Sequence, residues 1–298
     1  MTRSPASSPT RITIRRPVLA PGLRVLPRAP GELEIGLSAA HRLRVPDTPA
    51  VRRVLAVLDR GESPRDTPAN RSVLARLAPV LRDGDTLLHP ALPPSEAAAA
   101  VLRHPRDVGR RLMARTGFGV EVVGDPVLLE HLEPHALLRR CGLRTPPAGR
   151  GPSAVLLLSQ GEPDRERLDP LMRSGTPHLL LRAVESEVVL GPFVLPGSTA
   201  CLRCVDGHLT ATDPEHERVL AEYQRAGRHD GVAEPVDLAV AASALGWAVA
   251  DLVRYAEQDR PATWSATITF ASGRTGLEAT TWLRHPRCGC SWGDDEVA

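Results

Sequence analysis

The pattern of apolar and polar residues divides the chain into a short strand-rich part and a longer part in which helices and strands alternate. In the first part, apolar and polar side chains alternate over three short runs with turn residues between them, a pattern typical of β-strands. The three strands are predicted near residues 23–28, 32–37 and 41–46. A small sheet is therefore expected near the start of the chain.

Two helices are predicted to follow these strands. Thr48 is a suitable N-cap, Pro49 a suitable first helical residue, and Gly61 a suitable stop. The second helix is predicted around residues 69–82, where apolar side chains recur at helical spacing. Strands followed by helices in so short a module resemble a small winged-helix domain, which we place at residues 13–90, after a flexible tail at 1–12 and before a linker at 89–96.

Helices and strands alternate over residues 91–298, which we expect to form the second domain. Helices are predicted at residues 106–115, 126–140, 164–173 and 234–258. Strands are predicted at residues 119–123, 154–159, 177–183, 187–195, 263–271 and 277–285, the last two as a pair. Alternation with fully apolar strands predicts an α/β fold with a mostly parallel, doubly wound sheet.

Composition and the N-terminal sequence indicate where the protein is expected to be located and which side-chain chemistry it lacks. The 298 residues are 42% hydrophobic with a formal charge of +2, and we identify no apolar run that approaches the roughly 20 residues of a membrane span. The N-terminus lacks the apolar core of a signal peptide, so a cytoplasmic protein with no membrane partner is expected. All 37 basic residues are arginine, which a GC-rich genome would explain. Lysine therefore cannot serve as a phosphate clamp, Schiff base or general base.

Charge is distributed unevenly along the chain. Residues 1–60 hold 11 arginines against 4 acids, a net charge of +7, so the remainder carries −5. A basic N-terminal module indicates an acidic partner, either nucleic acid or an acidic peptide.

Four of the five cysteines form two close pairs. Cys201 and Cys204 form C-x-x-C, and Cys288 and Cys290 form C-x-C, with 83 residues between the pairs. Four thiolates complete a tetrahedral zinc shell that is closed to water and hence structural. A redox dithiol, which should open a helix after an early strand, fits Pro196 and the later pair poorly. Unlinked thiols are the remaining alternative.

Several other polar residues and the fifth cysteine are compatible with functional roles or with ordinary structural ones. His208 and Asp206 are close enough in sequence to support the metal ligands, and they are equally compatible with an ordinary polar surface. Cys141 is most simply a small packed apolar side chain. His216 and His229 have no nucleophile nearby in sequence, which favours solvated loop histidines.

These motifs carry a family resemblance. The segment GTPHLLLRAVESEVVLGPFVLPGSTACLRCVDGH, the long alanine-rich helix and WLRHPRCGC are similar to ThiF-type proteins, which share the fold of ubiquitin-activating enzymes. The resemblance is narrower to the ThiF-like branch of bacterial clusters that make azoline-containing peptides (RiPPs), and it covers about residues 15–290. It implies that the winged-helix module is a recognition element for the leader of a ribosomal precursor peptide.

The chain departs from adenylating members of this family at three places. Their G-x-G-x-x-G loop binds phosphate through backbone N–H groups, whereas AVLRHPRDVGRRL aligns His104 and Arg106 with the first two glycines and Gly109 with the third. Their lysine near the phosphates is missing. Ser159 and Gln160 stand where the resemblance implies a metal-binding acid. ATP is therefore not expected as a cofactor, although Arg106 could contact an anion by charge alone.

The resemblance favours a non-catalytic scaffold that presents a precursor peptide to a separate YcaO-type cyclodehydratase for azoline formation, with a thiopeptide or a linear azole as the product. It implies that the leader adds as a strand beside the third strand and the following helix. The residues expected to contact the leader are Arg42, Leu43, Arg44, Val45, Arg71, Leu74 and Arg76.

Three further expectations complete the sequence analysis. An active ATP-dependent adenylating enzyme is the alternative function. A DNA-binding winged helix is a weaker one, because the arginines of residues 41–60 are interleaved with apolar residues rather than forming a base-reading face. Analogy with ThiF-type folds favours a homodimer.

Overall fold

A computed structural model describes residues 16–84, 92–225, 234–273 and 276–290. The chain divides into two compact units, Met1–Leu112 and Met113–Ala298. The predicted tail at residues 1–12 and His229 lie outside the described residues. Helix α3, part of the segment that the sequence assigned to the second domain, groups with the first unit and begins at Pro94, inside the predicted linker.

The first unit contains a three-stranded antiparallel sheet and helices that follow it. Its elements are β1 Pro17–Leu19, β2 Val25–Ala29, β3 Glu32–Ile35, β4 Leu43–Pro46, α1 Pro49–Asp59, α2 Pro68–Leu77, β5 Leu81–Asp83 and α3 Pro94–Arg103. The sheet order is β2-β3-β4, so the three predicted strands are confirmed. One face carries Leu33, Ile35 and Val45 into a core shared with α1 and α2. Thr48 caps α1 by accepting a hydrogen bond from the Val51 amide, as predicted.

The second helix of this unit is shorter than predicted. Helix α2 ends at Leu77, and residues 78–80 form a 3₁₀ turn that contains Pro79. Residues 81–83 then leave the helix as strand β5, which pairs with β1. Proline has no N–H for an α-helical hydrogen bond, which explains why the helix does not continue to residue 82.

The second unit is built on a six-stranded sheet. Its strands are β6 Val120–Gly124, β7 Ala154–Gln160, β8 His178–Val184, β9 Glu187–Val194, β10 Ala266–Phe270 and β11 Glu278–Thr281. Its helices are α5 Pro126–Leu132, α6 Pro134–Arg140, α7 Asp169–Arg173, α8 Leu202–Thr212, α9 His216–Arg225 and α10 Leu238–Ala256, and α4 Val108–Gly117 spans the division between the units.

The sheet is mixed, so the prediction of a mostly parallel sheet is wrong. The strand order is β11-β10-β9-β8-β7-β6, and only the β6–β7 and β7–β8 pairings are parallel among the named strands. A two-residue hairpin reverses the chain between β8 and β9. Its residues Glu185 and Ser186 both have positive φ, the backbone conformation that matches the twist of paired strands.

Helices cover both faces of this sheet. On one face, α5, α6 and α10 pack against alternate side chains of the central strands, among them Leu156, Leu179 and Leu190. On the other face, Leu180 and Val194 pack against α8 and the cysteine pairs. The helix predicted over residues 126–140 is broken between α5 and α6, because Glu133 takes a left-handed conformation before Pro134.

Helix α10 supplies much of the core. Its buried residues recur three and four apart, from Ala241 to Ala256. By length and composition alone this 19-residue helix could span a membrane, although Asp251 and Arg254 interrupt its apolar run. In the structure its apolar stripe packs against β8, β9 and β10, as the core helix of an α/β layer does.

Candidate metal centre

The fold brings the two cysteine pairs together. Cys201 is the N-cap of α8 and Cys204 lies in its first turn, while Cys288 and Cys290 lie in a turn after β11. Gly289 between them has a φ of 75°, which permits the tight bend. The Sγ atoms of Cys201 and Cys288 are 3.4 Å apart, and those of Cys204 and Cys290 are 3.3 Å apart. The predicted grouping of these four thiols is confirmed.

The four thiols have the dimensions of a tetrahedral metal site. All four Sγ atoms lie within 4.8 Å of one another, and those of Cys201 and Cys204 are 3.7 Å apart. An ion bound at about 2.3 Å from each sulfur would hold the sulfurs about 3.8 Å apart. The cluster can therefore hold a metal ion, and its four ligands would fill a tetrahedral shell.

Crowding of the thiols couples their ionisation. A hydrogen bond donated by the Cys201 thiol lowers the pKa of Cys204 well below its ordinary value. The same bond, a second contact with Cys288 and burial raise the pKa of Cys201. Four thiolates this close would repel one another, and a bound dication would offset that repulsion.

Two contacts hold the C-terminal cysteine turn against α8. The His208 Nε2 atom lies 2.9 Å from the carbonyl oxygen of Leu283, and the His208 ring meets the His285 ring edge-on at 5.0 Å. The backbone amide of His285 is one of the groups that lower the pKa of Cys204. His208 therefore links the helix that carries one cysteine pair to the segment that leads to the other.

A buried charge network also supports α8. Arg165 donates two hydrogen bonds of 2.8 Å to the Asp206 carboxylate and one of 2.8 Å to Glu162, which also accepts from Arg182 at 2.6 Å. Burial alone would raise the pKa of Glu162, but the charges of Arg182 and Arg165 hold it below its ordinary value. Asp206 thus anchors α8 in a network that the sequence analysis did not anticipate.

His216 is a second residue whose environment differs from the prediction. It begins α9 rather than lying in a solvated loop, and its Nε2 atom is 3.7 Å from Asp206. Its side chain is 26% exposed. The carboxylate of the Arg165 network is therefore close to His216, although the separation is too long for a hydrogen bond.

Gly207 on α8 allows close packing beside the metal cluster. A Cβ atom at this position would lie 2.7 Å from the His285 Nδ1 atom, closer than real Cβ contacts allow. We expect Gly207→Ala to displace the C-terminal turn and to lower the melting temperature and the metal content of the protein. Thermal denaturation and metal analysis of the purified variant measure both.

Gly246 offers the matched control for this substitution. It is an exposed glycine in the middle of α10, and a Cβ atom added there would meet no atom within 4 Å. Gly246→Ala should stabilise the protein by about 0.5–1 kcal/mol, because alanine restricts the unfolded chain and favours the helix. Equal stabilisation by Gly207→Ala would contradict the packing argument.

The predicted nucleotide-loop segment lies in a different place from the one expected. His104 and Arg106 fall between α3 and α4, and Gly109 lies in the first turn of α4, all ahead of the first strand of the six-stranded sheet. A glycine-rich nucleotide loop connects the first strand to the helix that follows it. The assignment of residues 104–109 to that loop is therefore wrong. The alanine-rich residues before His104 are helical, not the end of a strand.

The connection after the first strand of this sheet runs from Gly124, the last residue of β6, through Asp125 to Pro126, the first residue of α5. A Cβ atom on Gly124 would lie 2.6 Å from the Leu158 carbonyl oxygen, so this glycine serves close strand packing. The Asp125 carboxylate accepts a hydrogen bond from the Val127 amide at the start of α5, and Pro126 has no N–H. A carboxylate at this position would repel phosphate.

The residues predicted to contact a leader lie on or near strand β4 and helix α2 of the first unit. Arg42 and Arg44 are exposed and face Glu34 on β3, with N–O distances of 3.8 and 3.4 Å. Leu43 and Val45 point to the opposite face, where Val45 is buried in the core and Leu43 packs against it. The prediction assigned the two arginines to acidic leader residues and Leu43 and Val45 to an apolar floor, and the structure places the two pairs on different faces of the sheet.

The predicted residues of α2 also differ in exposure. Arg71 is exposed and donates a hydrogen bond to Asp66, and Leu74 packs half-buried against the core of the unit. Arg76 is exposed in the last turn of the helix, and no ion pair joins it to another described residue.

Comparison with solved structures shows which proteins share this fold. Superposition on the heterocyclase TruD gives a TM-score of 0.67 at 17% identity, over 93% of this chain and 42% of that one. A heterocyclase in complex with substrate and cofactor gives 0.66 at 17% identity, over 92% and 39%. E. coli MccB with ATP gives 0.58 at 10% identity, over 92% and 99%.

These similarities are of fold. The chain spans about two fifths of the length of the heterocyclases and nearly all of MccB. No protein-family model matches the chain, and no curated protein matches it. The chain shares its α/β fold with heterocyclases and MccB.

Proposed function

We propose that this protein is a non-catalytic recognition and scaffold protein, which binds the leader of a ribosomal precursor peptide and presents it to a separate YcaO-type cyclodehydratase. The observation that carries the proposal is the free side of β4, which pairs only with β3 among the described strands. The whole chain is similar in fold to about two fifths of a heterocyclase. This supports a division of labour in which a second chain carries out the catalysis. Both proteins would work in the cytoplasm.

Strand β4 is a better template for a peptide than the other edge of its sheet. Strand β2 contains Pro27, which donates no backbone hydrogen bond, and its pairing shifts register between Pro27 and Ala29. Strand β4 has proline only at its last residue, Pro46. A leader strand added beside β4 would send alternate side chains toward Arg42 and Arg44 on one face and toward Leu43 and Leu74 on the other.

We expect Arg42→Glu combined with Arg44→Glu to weaken binding of an acidic leader peptide at least tenfold. The two arginines would otherwise attract acidic side chains on the outer face, and their replacement reverses that charge. Fluorescence anisotropy of a labelled leader, titrated with the full chain, measures the change. The same experiment also tests the function itself, because wild-type affinity no tighter than about millimolar would reject leader recognition.

Arg24→Glu combined with Arg28→Glu is the matched control for this substitution. These exposed arginines lie in and just before β2, at the opposite edge of the sheet, and their replacement changes the net charge by the same amount. Leader affinity should stay within about twofold of wild type. Equal weakening by both pairs would assign the effect to net charge and would reject strand addition at β4.

A non-catalytic role predicts no ATP–pyrophosphate exchange, with or without peptide. The acidic turn Asp125–Pro126 at the first strand of the sheet and the lack of lysine support this expectation. An active ATP-dependent adenylating enzyme is the alternative, favoured by the fold shared with MccB, which has been solved with ATP. Robust exchange would select that alternative. Measuring the exchange rate of an Asp125→Ala variant would then show whether the Asp125–Pro126 turn contributes to the reaction.

We further propose that the metal held by Cys201, Cys204, Cys288 and Cys290 is zinc, in a structural role. Four thiolates favour zinc over harder cations and leave no open position for a substrate. The ion would fasten the C-terminal turn to the start of α8. This role is independent of leader binding, which takes place in the first unit.

A further inference from the structure

A cleft opens where the parallel strands β6, β7 and β8 end. It has a volume of about 340 Å³ and lies beside Asp125, Ser159 and Gln160 at the strand ends. Its floor is apolar, with Leu157 and Leu180 among the lining side chains. Clefts of this size at the carboxyl ends of parallel strands are common sites for small ligands.

Arg182 gives the cleft a buried hydrogen-bond donor without a partner. This residue at the end of β8 is only 6% exposed and lines the cleft. One of its terminal nitrogens donates to Glu162 at 2.6 Å, while its Nε–H has no partner among the described residues. A buried donor without an acceptor is unfavourable, so a ligand oxygen that accepted this hydrogen bond would be favoured.

Other polar groups on the wall are also available to a ligand. Arg167 is exposed at the rim, and no hydrogen bond joins its side chain, or those of Ser159 and Gln160, to another residue that the structure describes. Two arginines against the single carboxylate of Asp125 give the lining a net positive charge. Since Glu162 already neutralises part of the Arg182 charge, the cleft suits one negative group rather than a polyphosphate.

We propose that this cleft binds a small organic acid, with its carboxylate held by Arg182 and Arg167 and its apolar body on the leucine floor. A guanidinium presents parallel N–H groups that match the two oxygens of a carboxylate. The turn at Asp125 and Pro126 offers no cradle of backbone amides for a triphosphate. This site is in the second unit and does not depend on leader recognition by β4.

Isothermal titration of the full chain with phenylacetate tests the proposal. We expect saturable binding in the millimolar range or tighter, at least tenfold weaker binding of the neutral phenylacetamide, and weaker binding of ATP and inorganic phosphate. No binding of phenylacetate at 10 millimolar, or equal affinity for the amide, would overturn the proposal. Tighter binding of ATP would overturn it in favour of a nucleotide site, and tighter binding of phosphate would overturn the carboxylate assignment.

Arg167→Gln locates the site without disturbing the core, because Arg167 is exposed. It should weaken phenylacetate binding about tenfold. Arg173→Gln, an exposed arginine at the end of α7 outside the cleft lining, should leave the affinity unchanged. Equal phenylacetate affinity of the Arg167 variant and wild type would reject the assignment of the site to this cleft. Leader binding is measured separately, and its loss reports on the first unit.

Discussion

Replacing Cys204 by serine should abolish zinc binding at the proposed site and destabilise the second unit by about 4 kcal/mol, which lowers its melting temperature by about 10 °C. Cys204 is fully buried beside the other three thiols, and serine is a poor zinc ligand. Without the ion, the C-terminal turn loses its main link to α8. Metal content by mass spectrometry and thermal denaturation of the purified protein give the two measurements.

Cys141→Ser is the matched control, since this cysteine lies on the other face of the sheet. Cys141 packs half-buried beside the α10 core and belongs to no thiol cluster among the described residues. The variant should keep one metal ion per chain and lose little stability. A Cys204→Ser protein that retained a full equivalent of zinc and its wild-type melting temperature would contradict the structural role of the cluster.

Residue periodicity predicted the elements of this fold better than their arrangement. Helix α10 was predictable because its buried residues repeat at helical spacing, and α1 because Thr48 and Pro49 mark its start. The mixed sheet was predicted wrongly, although only three residues separate the predicted strands 177–183 and 187–195, too few for the crossover that a parallel pair requires. The hairpin at Glu185 and Ser186 carries no glycine or asparagine, so the short gap was its one signal.

The candidate site was predictable only where its chemistry is written in short motifs. The spacing of the cysteines identified the four thiols, although 83 residues separate the pairs. The nucleotide loop was placed wrongly because the alignment rested on Gly109 alone, and the alanine-rich run before His104 forms helix α3 rather than the strand that such a loop follows. The network of Arg165 and Asp206 joins residues 41 positions apart, and no local pattern marks such a pair.

Arg115→Met should lower the free energy of unfolding of the second unit by about 3–5 kcal/mol. Arg115 is completely buried, and its Nε–H donates to the Glu257 carboxylate at 2.8 Å across 142 residues of sequence. A second guanidinium nitrogen donates to the carbonyl oxygen of Cys141 at 3.2 Å. Removing the guanidinium would take from the buried Glu257 carboxylate the cation that Arg115 supplies, and chemical denaturation would measure the loss.

The double variant Arg115→Met with Glu257→Leu distinguishes the cost of an isolated charge from the loss of the contact. Because both charges are then absent, it should be more stable than Arg115→Met alone. Arg218 is the exposed control, as its ion pair with Glu215 is 68% and 63% exposed, and Arg218→Met should change stability little. If the double variant were as unstable as the single one, the arginine would matter for its packing and hydrogen bond to Cys141 rather than for neutralising Glu257.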